Sequence, residues 1–174
     1  AMREAAATVD PALAEIGERI GRGFAATRGD ALLVDYTRLF LGPVDILAKP
    51  YGSVWLDADA PLMGDSTMAV LQHYEDAGFE VDEGFRDLPD HIAVELEFLY
   101  VLLFREAEAR LRQDAQTLAG LARMRQRFLG EHLGQWVGAF AAAVTAGAQT
   151  SYYRDLAELT VRFVALEAAR TDAH

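Results

Sequence analysis

The side chains able to bind a metal or move a proton are spread thinly along these 174 residues: four histidines, 27 acidic residues and no cysteine. Without cysteine there is no disulfide, no thiolate ligand and no thiol nucleophile. His73, His91, His132 and His174 are far apart in sequence. Neither a His-Glu-x-x-His run nor any Glu-x-x-His pair occurs, so zinc and di-iron sites lack their usual ligand spacing. There is no phosphate loop, no Gly-x-Gly-x-x-Gly turn and no nucleophile elbow. Catalysis and metal binding therefore have no motif behind them, and no cofactor is expected.

Asp90-His91 is the pair to weigh, because it follows Pro89 and precedes the most apolar helical run of the chain. On one reading Asp90, or Asp87 with it, caps that helix at its positive end, worth about 1 kcal/mol, and His91 is a first-turn surface residue. On the other, Asp90 is a buried or cleft-lining carboxylate that receives a cationic ligand, with His91 as a hydrogen-bonding neighbour that titrates near neutral pH. Upstream, Tyr36, Leu39 and Phe40 fall on one helical stripe, and Tyr51 and Trp55 follow along the chain. Such a stripe can be plain core. It can also wall a groove for a peptide that joins an apolar segment to basic residues.

The elements that must position these residues read as helices throughout. Asp10 caps a first helix with Pro11 at its first position, and Leu13, Ile16, Ile20 and Phe24 space out its apolar face to about Thr27. A second, capped by Asp30, carries Leu32, Leu33, Tyr36, Leu39 and Phe40 and stops at Gly42-Pro43. The apolar stretch from Pro50 to Leu56 reads as a loop, too broken by Gly and Pro for a helix. Gly64 to Thr67 opens a third helix that Gly78 ends, with His73 among polar neighbours. Pro89-Asp90 begins a central helix, apolar over more than half its circumference through Phe104 and solvated from Arg105 to Asp114, where Glu106 and Arg110 stand four apart. Three more helices follow, around Leu118 to Leu129, Trp136 to Val144 and Tyr152 to Leu166. No alternating strand pattern appears, so the expected fold is all-α, a single-domain helical bundle over residues 3–174.

Composition narrows the partners. Sixteen basic against 27 acidic residues give a charge of −11, which disfavours nucleic acid and anionic membrane and favours a cationic partner. The longest apolar runs fall short of the roughly 20 residues that span a bilayer, and no stable membrane insertion is expected. Ala1-Met2 reads as an expression remnant rather than part of the fold.

The order of the motifs resembles the TorD/DmsD family of redox-enzyme maturation chaperones. The residues that carry the likeness are Tyr36-x-x-Leu39-Phe40-x-Gly42-Pro43, Pro50-Tyr51-Gly52-Ser53-Val54-Trp55-Leu56-Asp57, Gly64 to Thr67, Pro89-Asp90-His91 and Glu95-Leu96-Glu97-Phe98, then more weakly Phe128-Leu129-x-x-His132-Leu133-x-x-Trp136. The resemblance implies a non-enzymatic cytoplasmic chaperone that binds the twin-arginine leader, and often the core, of a molybdopterin-dependent reductase until its cofactor is inserted. It points to Tyr36, Leu39, Phe40, Asp90 and His91 as leader-binding residues, with Tyr51 and Trp55 as additions. Tyr51 and Lys49 stand where many relatives have Trp and Pro. Only 35 residues precede the first motif, fewer than family members usually have, so the expectation is either that family helices are missing at the N-terminus or that this is a short member. Some relatives swap helices into dimers, which the long loops here would permit, so the resemblance implies a monomer or a domain-swapped homodimer. The alternatives are a nucleotide-binding or nucleotide-hydrolysing helical protein and a structural dimerisation domain.

Overall fold

A computed structural model describes residues 10–42, 45–57, 64–82, 84 and 86–170. It is all-α: α1 (Pro11–Ala26), α2 (Gly29–Tyr36, continued by a π-turn Thr37–Leu41), α3 (Gly52–Leu56), α4 (Asp65–Asp76), α5 (Ile92–Leu111), α6 (Ala115–Phe128, continued by a π-turn Leu129–Leu133), α7 (Gly134–Gly147) and α8 (Ser151–Ala169). No strand occurs among the described residues. The contacts divide the chain into two compact units, Ala1–Lys49 with Val137–Leu166 and Pro50–Trp136 with Glu167–His174.

In the first unit, Asp10 accepts the Ala12 amide at 2.7 Å and Pro11 opens α1, as the sequence indicates. Leu13, Ile16 and Ile20 form one buried stripe, packed by Tyr152, Leu156, Leu159 and Phe163 of α8. Phe24 completes the same spacing but ends up 62% exposed, one ring edge against Tyr152. α2 starts at Gly29 and has no side-chain cap, so Asp30 lies inside its first turn rather than before it. Its only buried residue is a carboxylate, Asp35. Asp35 Oδ2 accepts the Thr150 amide and hydroxyl, both at 2.8 Å, and its two oxygens accept the Gln149 amide at 3.0 Å. These donors lie in the turn just before α8, so the carboxylate of α2 fixes the approach to α8. Gly42 ends the π-turn at φ 47°, where its amide donates to Thr37 O, a conformation open mainly to glycine. Pro43, the other half of the expected stop, lies outside the described residues.

In the second unit, Val94, Phe98, Leu99 and Leu102 of α5 meet Val70 and Tyr74 of α4 and Phe128, Leu129 and Leu133 in a dry core. Tyr74, Phe98 and Phe128 form a chain of edge-on rings 4.8 and 4.9 Å apart. Tyr74 meets the need of its buried hydroxyl by donating to Pro89 O at 2.9 Å. Three expectations are corrected here. Residues 52–56 form a short helix, because the amides of Gly52 and Ser53 find acceptors on Asp90 that a sequence reading cannot see. His73 is buried, its ring on Phe128 and His132 at 5.6 and 6.3 Å. The second half of α5 is largely solvated as expected, but Glu106 and Ala109 within it are buried. Glu106 turns inward to pair with fully buried Arg125 at 2.7 Å and with Arg170, while Tyr100, Phe104 and Leu111 face solvent.

Candidate functional site

Tyr36, Leu39 and Phe40 belong to the first unit and Tyr51, Trp55, Asp90 and His91 to the second, so they form two clusters.

The first cluster is aromatic. α2 and its π-turn hold Tyr36 and Phe40 with rings 5.2 Å apart, and both meet Tyr153 of α8, at 6.4 and 5.9 Å. Phe40 also reaches Phe140 of α7 at 6.2 Å. Tyr36 is 42% exposed, whereas Leu39 is fully buried and acts as the floor behind the ring pair. Leu33, Val34, Leu41 and Leu47 of the same stretch of chain are exposed as well. This stripe is therefore turned partly outward, which a plain core stripe is not.

The second cluster is built by a backbone clasp. The Ile92 amide donates to Pro50 O at 2.8 Å and the Gly52 amide to Asp90 O at 2.9 Å, an isolated bridge that pairs Tyr51 with His91. The rings of Tyr51 and His91 then lie 5.4 Å apart, edge to face, both half-buried. Neither Asp90 nor Asp87 caps α5. The cap is His91, whose Nδ1 accepts the Ala93 amide at 3.1 Å. Burial holds the His91 imidazole below its ordinary pKa, and Asp87 and Asp90 oppose that shift. With Nδ1 accepting, the free imidazole is the form the cap uses.

Asp90 is fully buried. Its Oδ2 accepts the Ser53 amide at 2.8 Å, which satisfies a donor at the start of α3, and its Oδ1 has no hydrogen-bond partner. It thus fixes the helix that carries Trp55 and offers no carboxylate directly to solvent. At the far end of α3, Asp57 accepts the amide and hydroxyl of Ser66 at 3.3 and 2.6 Å, tying α3 to the start of α4.

Beneath α3 lies a polar trio that sequence reasoning left unassigned. Glu95 receives the Trp136 indole N–H at 3.2 Å and meets His132 Nε2 at 3.0 Å, all three buried. Burial pushes the Glu95 carboxyl up, and His132 and Trp136 pull it back. Gly52 sits directly above: a Cβ there would lie 3.1 Å from Glu95 Oε1 and Trp136 Nε1 and 3.3 Å from His132 Nε2. The four-residue spacing of His132 and Trp136 puts them on one helix face, but nothing in the sequence announces their partner 37 residues upstream. Tyr153 and Phe140 were missed for the same reason. Among the described residues, no group of three or more His, Asp or Glu side chains is placed to hold a metal, and no helix is long and apolar enough to cross a membrane.

The family model described as nitrate reductase delta subunit matches residues 3–142. The chain is similar to "Chaperone protein TorD" of Photobacterium profundum, 32% identical over 149 residues, and to that of Vibrio parahaemolyticus, 29% identical over 146; each match takes in 82% of this chain and 66% of the relative. It is also similar to "Tat proofreading chaperone DmsD" of Salmonella paratyphi A, 28% identical over 124 residues, 71% of this chain and 54% of the relative. The chain thus spans about two thirds or less of the length of these relatives.

Proposed function

The chain belongs to the TorD/DmsD family described by the nitrate reductase delta subunit model, and from that premise we propose that it is a cytoplasmic chaperone that binds the twin-arginine leader of a molybdopterin-dependent reductase. Capture of the leader delays export until the cofactor is inserted. The observation that carries the proposal is the clasp between the Pro50 to Leu56 segment and Asp90-His91, which presents Tyr51, Trp55 and His91 on one part of the second unit. That unit holds 18 of the 27 acidic residues but only eight of the 16 basic ones, so almost all of the net charge of −11 lies in the stretches that carry the clasp.

A twin-arginine leader joins a basic start to an apolar segment. Guanidinium groups favour aromatic faces, which Tyr51 and Trp55 supply, and acidic surroundings, which the charge excess of the second unit supplies. Considered by itself, the first unit's cluster, with Tyr36 42% exposed, Phe40 half-buried and Leu39 as their floor, is a surface of the kind an apolar peptide segment takes. Asp90 acts by holding α3 in place.

Titration calorimetry with a synthetic leader tests this. Tyr36→Ala and Trp55→Ala each remove an accessible ring and are expected to weaken binding roughly 5- to 30-fold, the effect of about 1–2 kcal/mol per aromatic contact. Asp90→Asn keeps the shape of the side chain and is expected to weaken binding through a looser α3. Unchanged affinity in the two ring variants, with helicity intact, would remove these residues from the leader site.

A further inference from the structure

We infer that His73, His132 and Glu95 form an acid-sensitive catch beneath α3, which lets go of the start of that helix when His73 takes up a proton. The catch lies wholly within the second unit. It concerns the free protein and does not rest on the leader reading.

Two buried imidazoles share one ring. His73, in the last turn of α4, stands edge-on to Phe128 at 5.6 Å, and His132, carried by the π-turn Leu129–Leu133, stacks on Phe128 at 6.1 Å. The imidazoles themselves are 6.3 Å apart. The π-turn depends on Gly134, where a Cβ would strike Leu129 O, and turns of this kind gather at functional sites. On its other side His132 meets Glu95 Oε1 at 3.0 Å, and the backbone of Gly52 closes over both. Contacts therefore run without a break from His73 to the first residue of α3.

Charge decides what a proton does here. His73 is faced by Asp76 on its own helix, by Arg127 of α6, and by Glu131 and His132 of the π-turn. Arg127 already engages both acids, Asp76 at 2.8 Å and Glu131 at 3.0 Å. Toward the core the acid is Glu95, held by His132 and the Trp136 indole, with buried Asp90 beyond it. Glu95 offsets one positive charge. A second, on His73, meets Arg127, His132 and acids that Arg127 occupies. Burial first, then Arg127 and His132, hold the His73 imidazole below its ordinary 6.5, against the pull of Glu131 and Asp76. The neutral ring's share of stability is therefore whole above the unfolded value of 6.5 and is lost as pH falls through the lower folded one. What gives way is the packing of His73 on Phe128 and His132, and with it the floor under Gly52.

The amides of Gly52 and Ser53, whose acceptors are on Asp90, report the state of the catch through hydrogen exchange. Protection factors, corrected for the intrinsic pH dependence of exchange, are compared at several pH values. Between about pH 7.5 and pH 5.5, wild-type protection at Gly52 and Ser53 is expected to fall on the order of tenfold, the change that one buried charge makes in a local opening. Ile16 and Ile20 of the first unit should keep theirs. His73→Phe retains a ring against Phe128 and cannot titrate, and His73→Gln is a second variant that cannot; each should flatten the pH dependence. His91 also titrates and caps α5, so His91→Asn, which keeps a capping side chain, is expected to retain the fall. Wild-type protection that does not change with pH, a fall that survives in both His73 variants, or one that vanishes in His91→Asn would each overturn the inference.

Discussion

At the residue scale, the most consequential side chain outside the two clusters is Asp35. Burial alone would raise its carboxyl, but the Gln149 and Thr150 amides and the Thr150 hydroxyl, with Arg38 at 3.3 Å, outweigh that and hold it below the ordinary 3.8. The ionised form is therefore the one the fold uses. Asp35→Ala leaves the Gln149 and Thr150 amides just before α8 without this acceptor and is expected to cost about 2–4 kcal/mol, more than a solvent-exposed cap, because the site is 1% exposed. The sign with pH follows from the lowered value. Its stabilising contribution is complete above the unfolded pKa near 3.8 and is lost as pH falls through the still lower folded value. Chemical denaturation of wild type and Asp35→Asn should show a gap in stability at pH 7 that closes in strong acid. A gap that persists unchanged at low pH would mean that the carboxylate charge is not what holds α8.

At the element scale, α3 is a five-residue helix, far too short to be stable alone, so its existence rests on what it is tied to: the amides of Gly52 and Ser53 on Asp90, Asp57 on Ser66, and the Glu95, His132 and Trp136 trio beneath. A methyl group at Gly52 presses on that trio at 3.1 Å, where both partners are buried and cross-bonded. Gly52→Ala is expected to destabilise by about 1–3 kcal/mol and to shift the emission of Trp55 and Trp136. Gly21→Ala serves as the contrast. Its Cβ meets nothing within 4 Å on an exposed helix face, so it should be neutral or gain up to about 1 kcal/mol. Equal effects from the two substitutions would show that the close approach at Gly52 is not tight. The same dependence on distant partners explains what was legible in the sequence. α1 could be read residue by residue, since Asp10, Pro11 and the Leu13, Ile16, Ile20 spacing are local signals. So could Gly42 as a helix stop. α3 could not, because its hydrogen-bond acceptor lies 37 residues downstream, and the same distance hid Asp90 as its anchor and left the cap of α5 to His91. Glu106 looked like half of a surface pair with Arg110 because spacing along one helix says nothing of Arg125, which comes from the next.

At the scale of the whole molecule, the net charge of −11 is a property of one stretch more than of the chain, since residues 50–136 and 167–174 carry 18 acids against eight bases and the remainder is nearly balanced. An even field would speed the encounter with any cation but would not prefer one surface. A concentrated one does both, because exposed charges interact over about 10 Å at 0.1 M salt and much less at higher salt. The consequence for a basic leader is kinetic first. Association should slow as salt rises while dissociation changes little if the proposed ring contacts hold the peptide, since apolar contacts are not screened. Stopped-flow mixing with a fluorescent leader between 50 and 500 mM salt is expected to show an association rate that falls on the order of tenfold, as steered association does, with a dissociation rate that stays within about a factor of two. Replacing both leader arginines with glutamine should flatten the salt dependence and leave a slower, salt-insensitive association. If the wild-type leader associates equally fast across that range, the acidic surface plays no part in capture and recognition rests on the apolar contacts alone.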